Sequence, residues 1–177
     1  MLGPPGSGKG TQGSLLAERL GVPHISSGEV LRQEAEGDSA LGREVRAYVD
    51  RGELVPDDLT AAALDPVVAA ARARGGYILD GFPRTADQAR RLGEDDVAVY
   101  LALPDDVARE RIAARDEGRA DDATPEVVER RLRIYHEDTT PLLDLYRERG
   151  CLVTIDGNRP PDEVARSITE ALAARAG

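Results

Sequence analysis

Gly3-Pro4-Pro5-Gly6-Ser7-Gly8-Lys9-Gly10-Thr11 is the stretch that decides how the rest of this chain is read. The spacing Gly-x4-Gly-Lys belongs to a phosphate-binding loop. In such a loop successive backbone N–H groups point into one concavity, and the helix that follows adds the positive end of its dipole. Leu15, Leu16 and Leu20 supply the apolar periodicity of that helix. Lys9 is the only lysine among 23 lysine and arginine residues, so arginine serves wherever either cation would do, and this position resisted the exchange. A compact ammonium on a flexible stem reaches β- and γ-phosphates through a tight loop, whereas a planar guanidinium is too wide to thread there. A Gly/Pro-rich surface turn that happens to hold a lysine is the bland alternative, and it leaves the helical pattern after Thr11 unexplained.

Composition narrows the class. With 177 residues, 41% of them hydrophobic, the chain is long enough to bury the core of one domain plus inserts. A net charge of −10 argues against broad binding to nucleic acid or anionic membranes. Aromatic residues at 3% argue against base-stacking platforms. The cations that matter must therefore be clustered locally. No apolar run approaches the roughly 18 residues of a membrane span, and the N-terminus lacks the charged and apolar regions of a secretory leader. A cytoplasmic protein is expected. The single Cys151 excludes an intrachain disulfide and any multi-cysteine zinc site, and in the run Cys151-Leu152-Val153-Thr154-Ile155 it reads as a buried strand thiol. His24 and His136 stand outside any motif and read as structural or surface residues.

Short apolar runs alternate with longer amphipathic ones, which predicts an α/β domain with a parallel sheet. The strand-like runs are 22–25, 77–79, 97–101 and 152–155. Helices are predicted near 11–20, 28–36, 39–51, 57–74, 85–92, 105–115, 125–148 and 161–175. Three of the runs end at polar or glycine-rich turns, Asp80-Gly81, Pro104-Asp105 and Asp156-Gly157. In doubly wound sheets ligands bind at those carboxyl ends. Residues 116–124 form a short charged loop with the makings of a lid. A phosphate loop is ordinarily fed by a buried strand of about five or six residues, and only Met1 and Leu2 precede Gly3. The expectation is a truncated first strand whose natural start lies several residues upstream; the alternative is a sheet that has lost most of its central strand.

Three further segments bear chemistry: Ile25-Ser26-Ser27-Gly28-Glu29-Val30-Leu31-Arg32, Leu79-Asp80-Gly81-Phe82-Pro83-Arg84-Thr85-Ala86-Asp87-Gln88, and Gly118-Arg119-Ala120-Asp121-Asp122 with Arg130-Arg131 beyond it. Phosphoryl transfer leaves little covalent work to a protein, so catalysis is positioning and charge compensation, which calls for convergent arginines and a metal. Arg84 follows a proline at a strand's carboxyl end, where its backbone is held stiffly while its fork grips a phosphate at two points. Together with the phosphate loop, these segments resemble the adenylate kinases in their bacterial short-lid form, in the family's order and over essentially the whole chain from residue 2.

The resemblance implies a single P-loop kinase domain over 1–177, with a doubly wound parallel sheet of about five strands in the order 2-3-1-4-5 and helices on both faces. A nucleoside-monophosphate-binding helical insert spans 26–55, and a short lid spans 116–124. The implied reaction is reversible, Mg²⁺-dependent transfer from ATP to AMP giving two ADP, on a monomer. Gly6, Ser7, Gly8, Lys9, Gly10 and Thr11 hold ATP, helped by Arg115 and by Arg159 near the adenine. Ser27, Arg32, Arg84 and Gln88 hold AMP, with Glu53, Leu54, Val55, Gly81, Phe82 and Pro83 completing that pocket and Arg119 and Arg131 reaching it. Lys9, Arg84, Arg115, Arg119 and Arg131 offset the charge that develops during transfer.

Asp80 reads as an anchor for the waters around Mg²⁺, an ion that keeps most of its hydration shell in such sites. Gly10 stands after Lys9 where Ser or Thr often binds the metal, so direct protein–metal bonds are not expected. No zinc is expected either, since the lid carries no cysteine. No general base is required, because the acceptor phosphate is already an anionic nucleophile. A side-chain amide at Gln88 can donate and accept together, which matches adenine's N1 acceptor and N6 donor, and Thr85 stands where pyrimidine monophosphate kinases commonly have Asn. Two other readings remain: a CMP/UMP kinase, which a panel of acceptors would reveal, and a nucleotide-binding protein that has lost catalysis through its short N-terminus.

Overall fold

The computed structural model describes residues 1–51, 53–92, 96–114 and 124–176. The elements follow in the order α1 (Lys9–Leu20), β1 (His24–Ser26), α2 (Ser27–Glu36), α3 (Ala40–Val49), α4 (Asp57–Arg72), β2 (Ile78–Asp80), α5 (Ala86–Ala89), β3 (Ala98–Ala102), α6 (Asp105–Ala113), α7 (Pro125–Glu148), β4 (Leu152–Asp156) and α8 (Pro161–Ala176). Helix starts obey local chemistry. Ser39, Thr85 and Thr124 cap α3, α5 and α7 by accepting the N–H groups of Gly42, Gln88 and Val127. Acidic pairs occupy the first turns of α4 and α6, where they complement the helix dipole.

The chain divides into two compact units, residues 1–12 with 83–177, and residues 13–82. In the first, β3 and β4 pair in parallel from Ala98 opposite Leu152 to Ala102 opposite Asp156. Leu2 adds an isolated parallel bridge to Tyr100, with Leu2 N donating to Val99 O at 2.8 Å and Leu101 N to Leu2 O at 2.9 Å. The core on one side gathers Leu2, Ala89, Ala98, Leu142, Tyr146 and the Cys151 thiol, which is buried as expected. A second cluster joins α6 to α7 through Leu103, Ala108, Ile112, Val128 and Leu132. In the second unit, β1 and β2 pair in parallel, His24 opposite Ile78 and Ser26 opposite Asp80. Its helices α2 and α3 enclose a separate apolar cluster of Ala35, Val45 and Val55, flanked by Leu31, Leu41, Tyr48 and Leu59.

The α/β alternation and the parallel pairing agree with the sequence reading, and the differences have local causes. Four named strands and one bridge stand among the described residues, where about five strands were expected. Helix α5 is only Ala86–Ala89 rather than 85–92, because the chain leaves it by tighter turns in which Arg91 N donates to Gln88 O and Leu92 N to Ala89 O. Helix α1 begins at Lys9 rather than near 11, since Gln12 N already donates to Gly8 O at 2.9 Å and the loop runs directly into the helix. Residues 116–123 of the expected lid, and Arg115 before them, lie outside the described residues. No helix among the described residues is long and apolar enough to cross a membrane.

Gly3 locks the start of the loop to β3. Its φ of +147° disfavours any L side chain, and an added Cβ would stand 2.7 Å from both Leu101 O and Ser7 Oγ. Gly3→Ala is therefore expected to destabilise the chain by about 1–3 kcal/mol from backbone strain alone. Urea unfolding of the variant beside the parent checks this, and equal midpoints would mean that the loop is not clamped at this point.

Candidate functional site

The phosphate loop is built by close approach. Gly6 sits against α6, so that an added Cβ would be 3.0 Å from Ala108 O and 3.3 Å from Ile112 Cγ1. Gly8, at φ +87°, faces open space; its glycine is required by the backbone rather than by crowding. Ser7 N donates to Pro4 O at 3.1 Å and tightens the turn. Lys9 Nζ donates to Gly3 O at 2.8 Å and Pro4 O at 2.9 Å, so the ammonium is drawn back into the loop it serves. Gly10 and Thr11 are exposed on the first turn of α1. The Ser7 hydroxyl oxygen is buried with no hydrogen-bond partner among the described residues.

Behind the loop, Gln12 is buried and its Nε2 donates to Pro161 O at 2.9 Å, tying the first turn of α1 to the start of α8. The segment just before Pro161 is the turn that carries Arg159. Gly157 N donates to Ala102 O at 2.8 Å, and Arg111 of α6 donates from Nη1 to Gly157 O at 3.0 Å. Asp156 accepts from Asn158 N at 2.9 Å and from Arg159 Nε at 3.2 Å. The structure thus joins the phosphate loop and the Arg159 turn in one braced assembly. Sequence reading missed Gln12 and Arg111. For Gln12 a signal existed: it lies four residues before buried Leu16 on the same helix face, and a buried amide must find a partner.

The Asn158 N–H, opposed by desolvation and aided by the Arg159 guanidinium, holds the Asp156 carboxyl below the usual carboxylate range. A depressed carboxylate contributes its stabilisation above its ordinary pKa and loses it as the pH falls through the folded value. In carbon NMR the Asp156 carboxyl should inflect at lower pH than an unfolded-chain aspartate. An ordinary inflection would show that the turn is not held in solution.

Arg84 and Gln88 are brought together in the first unit. Gln88 is 6% exposed, and its Oε1 accepts from Arg84 N at 2.6 Å. The Gln88 side chain is thus already fixed in orientation, since a backbone N–H can only meet the oxygen end of the amide. Thr85 Oγ1 caps the helix that carries Gln88. Pro83 is buried and Arg84 is exposed. Arg131 is half-buried on α7, one residue from core Leu132. Arg115 and Arg119 lie outside the described residues.

The second unit gathers another part of the predicted set. The parallel register sets Ser26 beside Asp80, so Ser27 at the head of α2 and Gly81-Phe82 after β2 leave the same end of the strand pair. Ser27 and Phe82 are buried. The Arg32 guanidinium runs back along α2 until Nη1 lies 3.3 Å from where a Gly28 Cβ would stand, which puts its charge at the positive head of the helix. Glu53 N donates to Tyr48 O at 3.0 Å, and Glu53 pairs with Arg51 at 2.8 Å, which lowers its carboxyl pKa. Val55 is buried, while Leu54 is 71% exposed, the highest among the exposed large hydrophobics of the described residues. Asp80 Oδ1 is buried with no hydrogen-bond partner among the described residues. One carboxylate oxygen with open lone pairs suits a cation that keeps its own waters. No group of three or more acidic, histidine or cysteine side chains among the described residues is arranged to hold a metal directly. His24 accepts or donates at Nδ1 to Ser14 Oγ, 3.1 Å away, and His136 bonds the Asp105 carboxylate at 2.9 Å. Each histidine thus has one nitrogen in a local contact, while the buried Nε2 of His24 has no hydrogen-bond partner among the described residues.

A family model described as Adenylate kinase matches residues 1–151. Among curated relatives, Adenylate kinase 1 of Nostoc sp. is 45% identical, the match covering 97% of this chain and 96% of the relative. Adenylate kinase of Nocardia farcinica is 44% identical, covering 97% of each chain. Adenylate kinase of Thermobifida fusca is 40% identical, covering 99% of this chain and 98% of the relative.

Proposed function

The chain belongs to the adenylate kinase family, and from that premise we infer that it transfers a phosphoryl group reversibly from ATP to AMP, giving two ADP. The observation that carries this reading is the phosphate loop drawn around the Lys9 ammonium at the head of α1. On binding ATP, the Lys9 Nζ exchanges the Gly3 and Pro4 carbonyls for phosphate oxygens. The amides of Gly6 through Thr11 and the α1 dipole take up the remaining negative charge. The turn of Arg159, braced through Gln12 and Arg111, frames the donor base.

For the acceptor, Ser27 at the head of α2, the Arg32 guanidinium reaching back toward that head, and Arg84 after Pro83 hold the AMP phosphate. Gln88, with its oxygen anchored by Arg84 N, turns its amide to the base. Glu53, Leu54, Val55, Gly81 and Phe82 complete that pocket, and the high exposure of Leu54 suits a residue that a nucleotide would cover. Arg115, Arg119 and Arg131 close over the transferring group from the lid side. The Asp80 carboxylate, with its buried Oδ1 lacking a hydrogen-bond partner among the described residues, would hold waters of a Mg²⁺ shell, and that ion would offset phosphate charge when bound with ATP. Exclusion of water until both nucleotides are bound falls to the insert at 26–55 and the lid at 116–124. The separate apolar cluster of α2 and α3 supports the first of these.

The finer architecture is part of the same proposal: one P-loop kinase domain with strand order 2-3-1-4-5. The two parallel pairs and the bridge from Leu2 to Tyr100 support it. So too is the monomeric, cytoplasmic setting. Initial rates of diphosphate formation with MgATP and, separately, AMP, CMP, UMP and GMP test the function. A strong preference for AMP is expected. Preference for CMP or UMP would reassign the acceptor, and no turnover with any of them would overturn catalysis.

A further inference from the structure

The carboxyl end of α2 is fastened more firmly than a surface corner requires. Gly42 of α3 approaches Glu34 O so closely that an added Cβ would overlap it, and the same Cβ would stand 3.0 Å from Gly37 O. Ser39 caps α3 by accepting from Gly42 N at 2.7 Å, and its hydroxyl donates to the Glu34 carboxylate at 2.5 Å. One helical turn past Gly42, Arg46 reaches back across the corner. Its Nε donates to Ala35 O at 2.5 Å and its Nη2 to Gly37 O at 2.7 Å. The last carbonyls of a helix have no partner within it, and a cation there also opposes the negative end of the dipole. A planar fork is the one side chain that serves two such carbonyls in a fixed relation.

We propose that Arg46 is a positioning residue for the acceptor nucleotide: by pinning the carboxyl end of α2 to α3 it fixes the direction of α2, and with it the placement of Ser27 and Arg32. The proposal rests on the reading of those two residues as AMP ligands. The apolar contacts of Ala35, Val45 and Val55 at the same corner are non-directional and hold the helices together without setting their angle. Two hydrogen bonds from one rigid group set it. A ten-residue helix is about 15 Å long, so a small tilt released at one end shifts a guanidinium on it, and a misplacement of about 1 Å suffices to cost about a hundredfold in a reaction of positioned groups.

The test compares Arg46→Met and Arg46→Lys with Arg32→Met as a reference, in the full chain, varying AMP at saturating MgATP and then the reverse. Arg46→Met is expected to raise the KM for AMP about fivefold or more while leaving the KM for ATP within about twofold. Arg46→Lys should fall between, since an ammonium does not span both carbonyls. An unchanged KM for AMP in Arg46→Met, with Arg32→Met impaired, overturns the positioning role alone. An unchanged KM for AMP in Arg32→Met as well overturns the acceptor reading beneath it. Equal rises in both KM values would mark a general loss of structure and also overturn the proposal. Should Arg46→Met fail to fold, Arg46→Lys decides, and an unchanged KM for AMP there counts against it.

Discussion

Lys9→Met is expected to lower turnover at least about a hundredfold while the fold stays intact, the scale on which one preorganised charge at a reacting phosphate acts. The Lys9 side chain makes two hydrogen bonds to the loop's own carbonyls, so its removal releases Gly3 O and Pro4 O to solvent or to other donors. Those carbonyls sit in a loop clamped independently by the close approaches of Gly3 to Leu101 and of Gly6 to Ala108. The loop therefore keeps its shape, and the loss falls on the chemistry. Lys9→Arg should fare little better, because a guanidinium satisfied by the same carbonyls is too wide to turn into the concavity. The checks are kcat with saturating MgATP and AMP, and a thermal midpoint for each variant. A rate near that of the parent would remove Lys9 from the mechanism. A collapsed midpoint would instead assign the lysine to the loop's architecture.

Arg84→Ala is expected to cost a similar factor, at least about a hundredfold in kcat/KM for AMP, from loss of a charge-assisted, two-point grip on phosphate. The structure separates the side chain's role from the backbone's. Arg84 N is held by Gln88 Oε1 and follows buried Pro83, and Gln88 is itself set on a helix capped by Thr85. Truncation at Arg84 leaves all of these in place. Far-UV circular dichroism and the thermal midpoint should therefore match the parent, while Arg84→Lys recovers part of the rate by restoring charge without the fork. If Arg84→Ala turned over normally, Arg84 would be removed from the proposed acceptor site and the phosphate would have to be held by other groups.

Much of this molecule is legible from local chemistry. Helix α3 starts where Ser39 can cap it, α7 where Thr124 precedes Pro125, and α6 where Pro104 is followed by two aspartates. Those signals lie within four residues of the event they cause. The misjudged ends are of the opposite kind. Helix α5 stops at Ala89 because the chain beyond it turns with tighter bonds, although 85–92 contains neither proline nor glycine to announce a stop. The phosphate loop was readable because its function depends on backbone conformations that only glycine adopts cheaply, at Gly6 and Gly8. Likewise the only lysine marked its own place.

The partners of Gln12, Arg111 and Arg46 were invisible for a common reason, even though the helix face of Gln12 announced that its amide would be buried. Each meets a backbone carbonyl: Gln12 that of Pro161, 149 residues away; Arg111 that of Gly157, 46 residues away; Arg46 those of Ala35 and Gly37. A carbonyl is present on every residue and leaves no trace in the choice of side chain. The sequence by itself determined the alternation of strands and helices, the glycine-rich loop with its lysine, and the supply of arginines available as candidate phosphate ligands, because periodicity, glycine conformation and charge are properties of residues and their near neighbours. Only the tertiary structure decided which of the remaining polar side chains brace those loops, because their partners are carbonyls that folding alone brings within hydrogen-bond reach.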